Sequence, residues 1–284
     1  MIRAMIATVL LVLVSSPVQA DEATAPRVWS DTAEVAFVLT SGNTATFSLG
    51  VKNTLEGKWP RQSIAIRLAV LRAEDTETTR FAVGGTDDFE VESSEITDVK
   101  DESYEFGTRF DRKLSDRHAW FVDGSWLRNE FSGISSRAVG LFGLATTWKD
   151  GERVHFRTDV ALSWTNQEEM VDDPSQADSW LGLRLGSKFS TKVGTHGEYG
   201  NDLAIDINLD ETDDLRIDMS NWFAVSFTER LALKLSHRLN WDNQPALELI
   251  DLFDAADLTT PIDSVPVELE HADTHFSAVL VVGW

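Results

Sequence analysis

The chain has 284 residues, a net charge of −22, no cysteine, ten tryptophans and fifteen phenylalanines. Lack of cysteine excludes disulfides, thiolate metal sites and a lipid-modified cysteine, and it suits export to an oxidising envelope. The acidity argues against nucleic acid as a partner, while the aromatic and aliphatic content favours a folded chain over acidic disorder.

Residues 1–20 read as a cleavable signal peptide. Arg3 supplies a positive start, Ala4 to Val14 an apolar run, and Val18-Gln19-Ala20 a small-residue cleavage site. The run is too short for a transmembrane helix, which needs ~20 residues. Cleavage after Ala20 leaves a single domain, 21–284. No later apolar run is long enough for a helix, so any membrane crossing falls to strands of ~9–11 residues.

Strand 1 is expected over about Asp31 to Thr40, with Ala33, Val35, Phe37 and Leu39 on one face. Strand 2 follows with Ala45, Phe47, Leu49, Val51 and Leu55 on one face. The hairpin motif Thr40-Ser41-Gly42-Asn43-Thr44 joins them. A two-residue Gly-Asn turn would set Leu39 against Thr46 and mix the faces. A three-residue loop, Ser41 to Asn43, sets Leu39 opposite Ala45, Phe37 opposite Phe47 and Val35 opposite Leu49, and leaves Asn43 for a left-handed conformation.

Strand 3 (Gln62 to Ala73) and strand 4 (Asp101 to Asp111) flank a long acidic segment, Glu74 to Lys100, read as a loop. Strand 5 (His118 to Arg128) presents Trp120, Val122 and Trp126. Strand 6 (Arg137 to Trp148) presents Phe142, Leu144 and Trp148, although Val139 and Leu141 on its other face blur the pattern. Strand 7 (Arg153 to Thr165) alternates cleanly. Strands 8 (Ser179 to Phe189), 9 (His196 to Leu209), 10 (Asp214 to Phe227) and 11 (Leu231 to Trp241) follow. The last strand lies in Leu269 to Trp284, where Ala272, Thr274, Phe276, Ala278, Leu280, Val282 and Trp284 share a face.

These patterns predict an all-β fold, a membrane-spanning antiparallel up-and-down β-barrel of 12 strands. Short turns alternate with longer loops, and all seven prolines fall outside the expected strands. Outward aromatics sort by height. Phe110, Trp120, Trp148, Phe189, Phe227 and Trp284 lie at the short-turn end, and Trp126, Trp164 and Trp241 at the long-loop end, as two membrane interfaces would select. The competing reading is a soluble periplasmic β protein with its aromatics in a core.

Charge sorts the same way. Glu74 to Glu105 carries twelve acidic residues against Arg80 and Lys100, and Asp242 to Asp273 carries nine with no Lys or Arg. Bases gather at the short turns, among them Lys58, Arg61, Arg117, Lys149, Arg153, Lys192 and Arg230. The long-loop rim is therefore negative: a mouth that concentrates cations, acidic loops that share Ca²⁺ or Mg²⁺ with lipopolysaccharide, or simply a solvated surface. Inward positions carry mixed charge (Arg67, Arg109, Asp111, Asp123, Arg157, Asp159, Arg184, Asp206, Arg216, Lys234 and Arg238 among them), which suits either a narrow wet channel or a plug of salt bridges.

No catalytic motif, cofactor fingerprint or metal signature is present. His271, Asp273 and His275 share a strand face, but the two histidines would stand ~13 Å apart and cannot share an ion. A barrel hydrolase assembled from scattered residues is the remaining enzymatic alternative.

The segment EVAFVLTSGNTATFSL, Glu34 to Leu49, resembles the opening hairpin of the YdiY-like family of salt-induced outer-membrane proteins, a domain of unknown function. Gly57-Lys58-Trp59, the RNEFS run at Arg128 to Ser132, and Leu231 to Leu235 extend the similarity, with Trp284 where the family ends on Phe. The resemblance implies an outer-membrane barrel connected with salt or osmotic stress, and it transfers no catalytic residues. Phe276, Leu280, Val282 and Trp284 are the expected signal to the barrel assembly machinery, and outer-membrane lipid and lipopolysaccharide are the expected partners. The expected role is a non-enzymatic, porin-like barrel favouring small cations. The alternative is a divalent-cation-binding surface barrel without transport.

Overall fold

A computed structural model describes residues 29–39, 44–85, 88–174, 176–254 and 257–283. Its strands are β1 (Trp29–Leu39), β2 (Thr44–Lys58), β3 (Gln62–Gly85), β4 (Asp88–Lys113), β5 (His118–Asn129), β6 (Ile134–Asp150), β7 (Val154–Glu169), β8 (Ser179–Val193), β9 (Gly197–Asn208), β10 (Leu215–Ser226), β11 (Leu231–Asp242), β12 (Leu247–Asp254), β13 (Asp257–Glu268) and β14 (Ala272–Gly283). Twelve of them close an antiparallel barrel in the order β1-β14-β11-β10-β9-β8-β7-β6-β5-β4-β3-β2, while β12 and β13 form a separate hairpin. The expected barrel and strand number are both present. The signal-peptide residues 1–20, the hairpin residues Thr40 to Asn43 and Trp284 lie outside the described residues.

Alternation decides which side chains meet the outside. On β5 to β7, Val122, Phe142, Leu144, Leu162 and Trp164 point outward, with Phe142 61% and Leu162 62% exposed. Phe121, Val139, Leu141, Ala145 and Ala161 point inward and cluster, with Phe121 only 1% exposed. The blurred strand 6 is thereby explained: Val139 and Leu141 are luminal packing, not a second outer face. From Phe156 to Trp164 the outer apolar run of β7 covers about 26 Å at ~3.3 Å per residue, close to the apolar band of a membrane barrel. Outward charge begins just past this band, where Arg72 pairs with Glu74 and Glu102, both at 2.6 Å, and Arg128 pairs with Glu130.

Three expectations need correction. The β1–β2 ladder pairs Leu39 with Phe47, Phe37 with Leu49 and Val35 with Val51, two residues away from the expected register. Parity could not detect this, because a two-residue slip keeps every side chain on its face. Phe37 and Phe47 still meet, diagonally, with ring centroids 5.9 Å apart.

The acidic segment Glu74 to Lys100 is not a loop. β3 and β4 remain paired from Gln62↔Arg112 to Gly85↔Asp88, with one irregularity beside Ala73 and Glu74, and beyond Glu77 on β3 and Ser103 on β4 they pair with each other alone, as a ribbon. Its β-branched and aromatic residues (Thr76, Thr78, Phe81 and Val83 against Phe89, Val91, Ile96 and Thr97) suit a strand. Acidic neighbours do not oppose pairing where water reaches both sides of a two-stranded ribbon. Thr76 and Thr97 share a hydroxyl hydrogen bond at 2.8 Å across it.

The stretch between β11 and β14 also folds, as β12–β13, and it places Pro261 and Pro266 inside a strand, opposite Phe253 and Leu249. A proline that cannot donate to a ladder is tolerated because β13 is an edge strand with a single partner.

Closure of the barrel is uneven. β11 and β14 pair from Leu231↔Val282 to Trp241↔Ala272, whereas among the described residues β1 and β14 are joined through Thr32↔Gly283, Ala33↔Val282, Glu34↔Val281 and Val35↔Leu280.

Candidate functional site

The lumen carries the chemistry of this molecule, and it divides into two halves. Toward the short-turn end, Arg109 and Asp111 on β4 face Arg157 and Asp159 on β7. Arg109 donates to Asp111 at 3.0 Å and to Asp159 at 2.8 Å, and Arg157 donates to Asp159 at 2.9 Å and also to Asp111. The four side chains close a ring across the inner faces of β5 and β6. The Arg109 guanidinium carbon lies 3.7 Å from the centroid of the Phe121 ring beneath it, so charge pairing and cation–π attraction act on one group. Beside this ring, Arg67 of β3 reaches over Gly107 of β4 to Asp123 of β5 at 2.7 Å. A Cβ at position 107 would stand 3.1 Å from the Arg67 guanidinium, so the glycine clears its path.

On the opposite wall Lys234 of β11 crosses β14 to reach both oxygens of Glu34 on β1, at 2.9 and 3.0 Å. Arg238 pairs with Asp218. The Lys234–Glu34 contact joins strands that do not share a ladder, whereas Arg238 and Asp218 link the paired strands β11 and β10, and both stiffen the wall from within.

Toward the long-loop end the lining changes. Arg184 forks onto Asp206 at 2.5 and 2.7 Å, and Arg216 bonds Asp214 at 2.8 Å and Asp242 at 3.1 Å while lying 4.7 Å from the Trp180 ring. Asp214 also accepts from Asn208 at 3.0 Å, but its second oxygen is buried without a hydrogen-bond partner among the described residues. Burial holds the Asp214 carboxyl above the usual carboxylate range, against the pull of Arg216 and Asn208. Arg137 differs from the rest. Its Nε donates to Gln167, which in turn donates to Glu169 at 2.7 Å, and among the described residues it makes no ion pair of its own. Arg137, Arg184, Arg216, Asp206, Asp214 and Trp180 are in the wall of one cavity of about 30 Å³, open to the lumen.

A loop covers this mouth. After β11 the chain crosses to the β5–β6 connection, where Asn129 caps a short turn at Glu130–Ser132 and Gly133 adopts φ 68°. A Cβ on Gly133 would fall 2.5 Å from the Ala246 side chain and 3.1 Å from Leu269, so the glycine serves both the left-handed backbone and the close approach. The cover is anchored by Asn243 N–H to Leu215 O at 3.0 Å and Gln244 to Glu211 at 3.0 Å.

The expected site residues are scattered. Thr40 to Asn43 and Trp284 are outside the described residues, and Thr44 opens β2. Phe276 points outward, 80% exposed, with its ring stacked on His237 at 4.5 Å. Leu280 and Val282 sit in the short β1–β14 ladder. The imidazole of His271 bonds the Asp242 carbonyl at 2.9 Å. No group of three His, Asp or Glu side chains among the described residues is arranged to hold one metal ion. Residue reading missed Arg137, Phe121 and Gly133. Parity places the first two inside, but Arg137 was hidden by its apolar neighbours Val139 and Leu141.

A family profile described as "Protein of unknown function, DUF481" matches residues 33–284. The chain belongs to that family. Curated proteins give no match by sequence. Solved structures of similar architecture include the NanC porin, 8% identical, with 89% of this chain and 98% of that chain covered at a TM-score of 0.44. The translocator domain of the autotransporter NalP from Neisseria meningitidis is 12% identical, covering 99% of this chain and 95% of that one at 0.41. An anion-selective porin from Comamonas acidovorans is 9% identical, covering 90% and 98% at 0.38.

Proposed function

We propose that this DUF481 protein is an integral outer-membrane β-barrel that gives small solutes a charged passage, favours cations at its acidic mouth, and performs no chemistry on them. The observation that supports this best is the inversion of its wall: large apolar side chains such as Phe142, Leu162 and Trp164 are outside, and the ion pairs are inside. Water would expel such a surface, whereas lipid would cover it. Its outer partners are then membrane lipid and lipopolysaccharide, reached by export and the barrel assembly machinery. Phe276, Leu280 and Val282 offer that machinery the apolar face of β14, with Trp284 next in the sequence.

The mouth carries the selectivity. Asp172, Asp173, Asp178, Asp210, Glu211, Asp213, Glu248, Asp251 and Glu270 all lie in the connections at one end of the barrel, where like charges raise the local cation concentration and lower that of anions. The family resemblance adds salt or osmotic stress as the setting.

Planar-bilayer recording on refolded protein tests the reading. A tenfold KCl gradient should give a reversal potential of the cation-favouring sign that shrinks as salt rises. Silence in both orientations would remove the passage, and release of the protein from membranes by carbonate washing would remove the barrel's membrane residence.

A further inference from the structure

We infer that the cavity beneath the covered mouth is a binding recess for a small zwitterionic solute of the amino-acid type, with its carboxylate on Arg137 and its ammonium toward Asp214. The inference rests on the proposed passage only in needing the lumen to be reachable by solute.

An arginine with donors not taken up by protein and a carboxylate oxygen without a partner share this wall. On the luminal face, Arg67, Arg109, Arg157, Arg184, Arg216 and Arg238 each hold a carboxylate. Arg137 has only the side-chain oxygen of Gln167 on its Nε. A guanidinium presents five donors in a fixed fork, and a neutral amide occupies one of them. The natural complement of the rest is a planar carboxylate. The buried second oxygen of Asp214 has the reverse need, an acceptor with no donor. Both residues line the same cavity of about 30 Å³, room for about two waters, which accepts a carboxylate head while the rest of a small solute stays in the lumen.

The surroundings select against simpler ligands. Asp206 and Asp214 stand in the same wall, so a dianion such as sulfate would meet two carboxylates at close range. A monoanion must first pass the acidic rim, and a simple cation finds Arg137, Arg184 and Arg216 facing it. A zwitterion crosses the rim without net charge, offers Arg137 a carboxylate and brings an ammonium toward Asp214. Ser163 and Thr165, also in the wall, supply hydroxyls that can serve either end.

The test is calorimetry on the refolded barrel in a non-ionic detergent, with glycine as probe and acetate, ethylammonium and sulfate as comparisons. Glycine should bind at least tenfold more tightly than any of the three. Arg137→Gln should weaken glycine tenfold or more and Asp214→Asn severalfold, while Arg238→Gln, outside the cavity lining, should leave it unchanged. Folding of each variant is checked by heat-modifiable gel mobility. If Arg137→Gln does not fold, the ranking of the four probes on the unaltered protein still decides. The inference is overturned by no glycine binding, by acetate or sulfate binding as tightly, or by an unaffected, folded Arg137→Gln. Because binding is read in detergent, such a failure leaves the bilayer test of the passage standing separately.

Discussion

The wall from β3 to β10 and the wall where β14 meets β1 use the same alternating strands but hold together differently. In the first, long ladders are reinforced from inside by side chains that skip strands: Arg109 and Asp111 reach Arg157 and Asp159, and Arg67 reaches Asp123. In the second, four residue pairs among the described residues complete the circle, and Lys234 with Glu34 is a tie across them. Ala36 and Phe37 pair with β2 but not with β14. Hydrocarbon offers backbone groups no alternative partner, so the firmness of a barrel is that of its shortest ladder. Redundancy of ties, more than strand number, separates the two regions.

The largest expected effect is in the reinforced wall. Arg109→Met removes one corner of the ring and leaves Asp111 and Asp159 facing each other with only Arg157 between them. Loss of one partner of a buried, hydrogen-bonded charge set should cost about 3 kcal/mol, read from urea unfolding in phospholipid vesicles. A loss under about 1 kcal/mol would mean that the ladders alone hold that wall. Next is the junction. Lys234→Met should cost about 2 kcal/mol by stranding Glu34. Because the chain has no cysteine, Val35→Cys with Leu280→Cys gives a clean cross-link between directly opposed residues. Oxidation should recover most of that loss, and failure to recover it would place the weak point elsewhere.

Smaller effects probe the mouth. Gly133→Val must abandon the left-handed backbone or push Ala246 away, at about 1–2 kcal/mol. It should also raise single-channel conductance by loosening the cover; unchanged conductance would show that the cover does not limit entry. The smallest effect is at Asp214. Its carboxyl is raised by burial, so the fold favours the protonated form. The stability this contributes is complete below the ordinary carboxylate range and is lost as pH rises through the raised value. Asp214→Asn should therefore unfold later than the parent at pH 8, by under about 1 kcal/mol, with the gap closing toward pH 4.

Strand positions were legible because lipid-facing and lumen-facing residues alternate with a period of two, and a run such as Val154, Phe156, Val160, Leu162, Trp164 has no other economical reading. Register was not, since Phe37 opposite Phe47 and Phe37 opposite Leu49 satisfy the same alternation. The ribbon beyond Ala73 was obscured by its own acidity, a property of its solvent and not of its backbone. The recess and its cover were the least legible. Arg137, Asp214, Gly133 and Ala246 are brought together by closure of the circle and by a loop crossing it, and neither leaves a local pattern in the chain.

The β3–β4 ribbon has one more consequence. Past Glu77 on one side and Ser103 on the other, its strands pair with each other alone. From Thr78 to Gly85 that is about 25 Å of extended chain at ~3.3 Å per residue, standing clear of the rest of the mouth. With the barrel in the outer membrane as proposed and its long-loop end outside, this ribbon would be the first protein surface met by an antibody. A peptide tag inserted between Gly84 and Gly85 should be stained from outside without permeabilisation, while the barrel below keeps its fold.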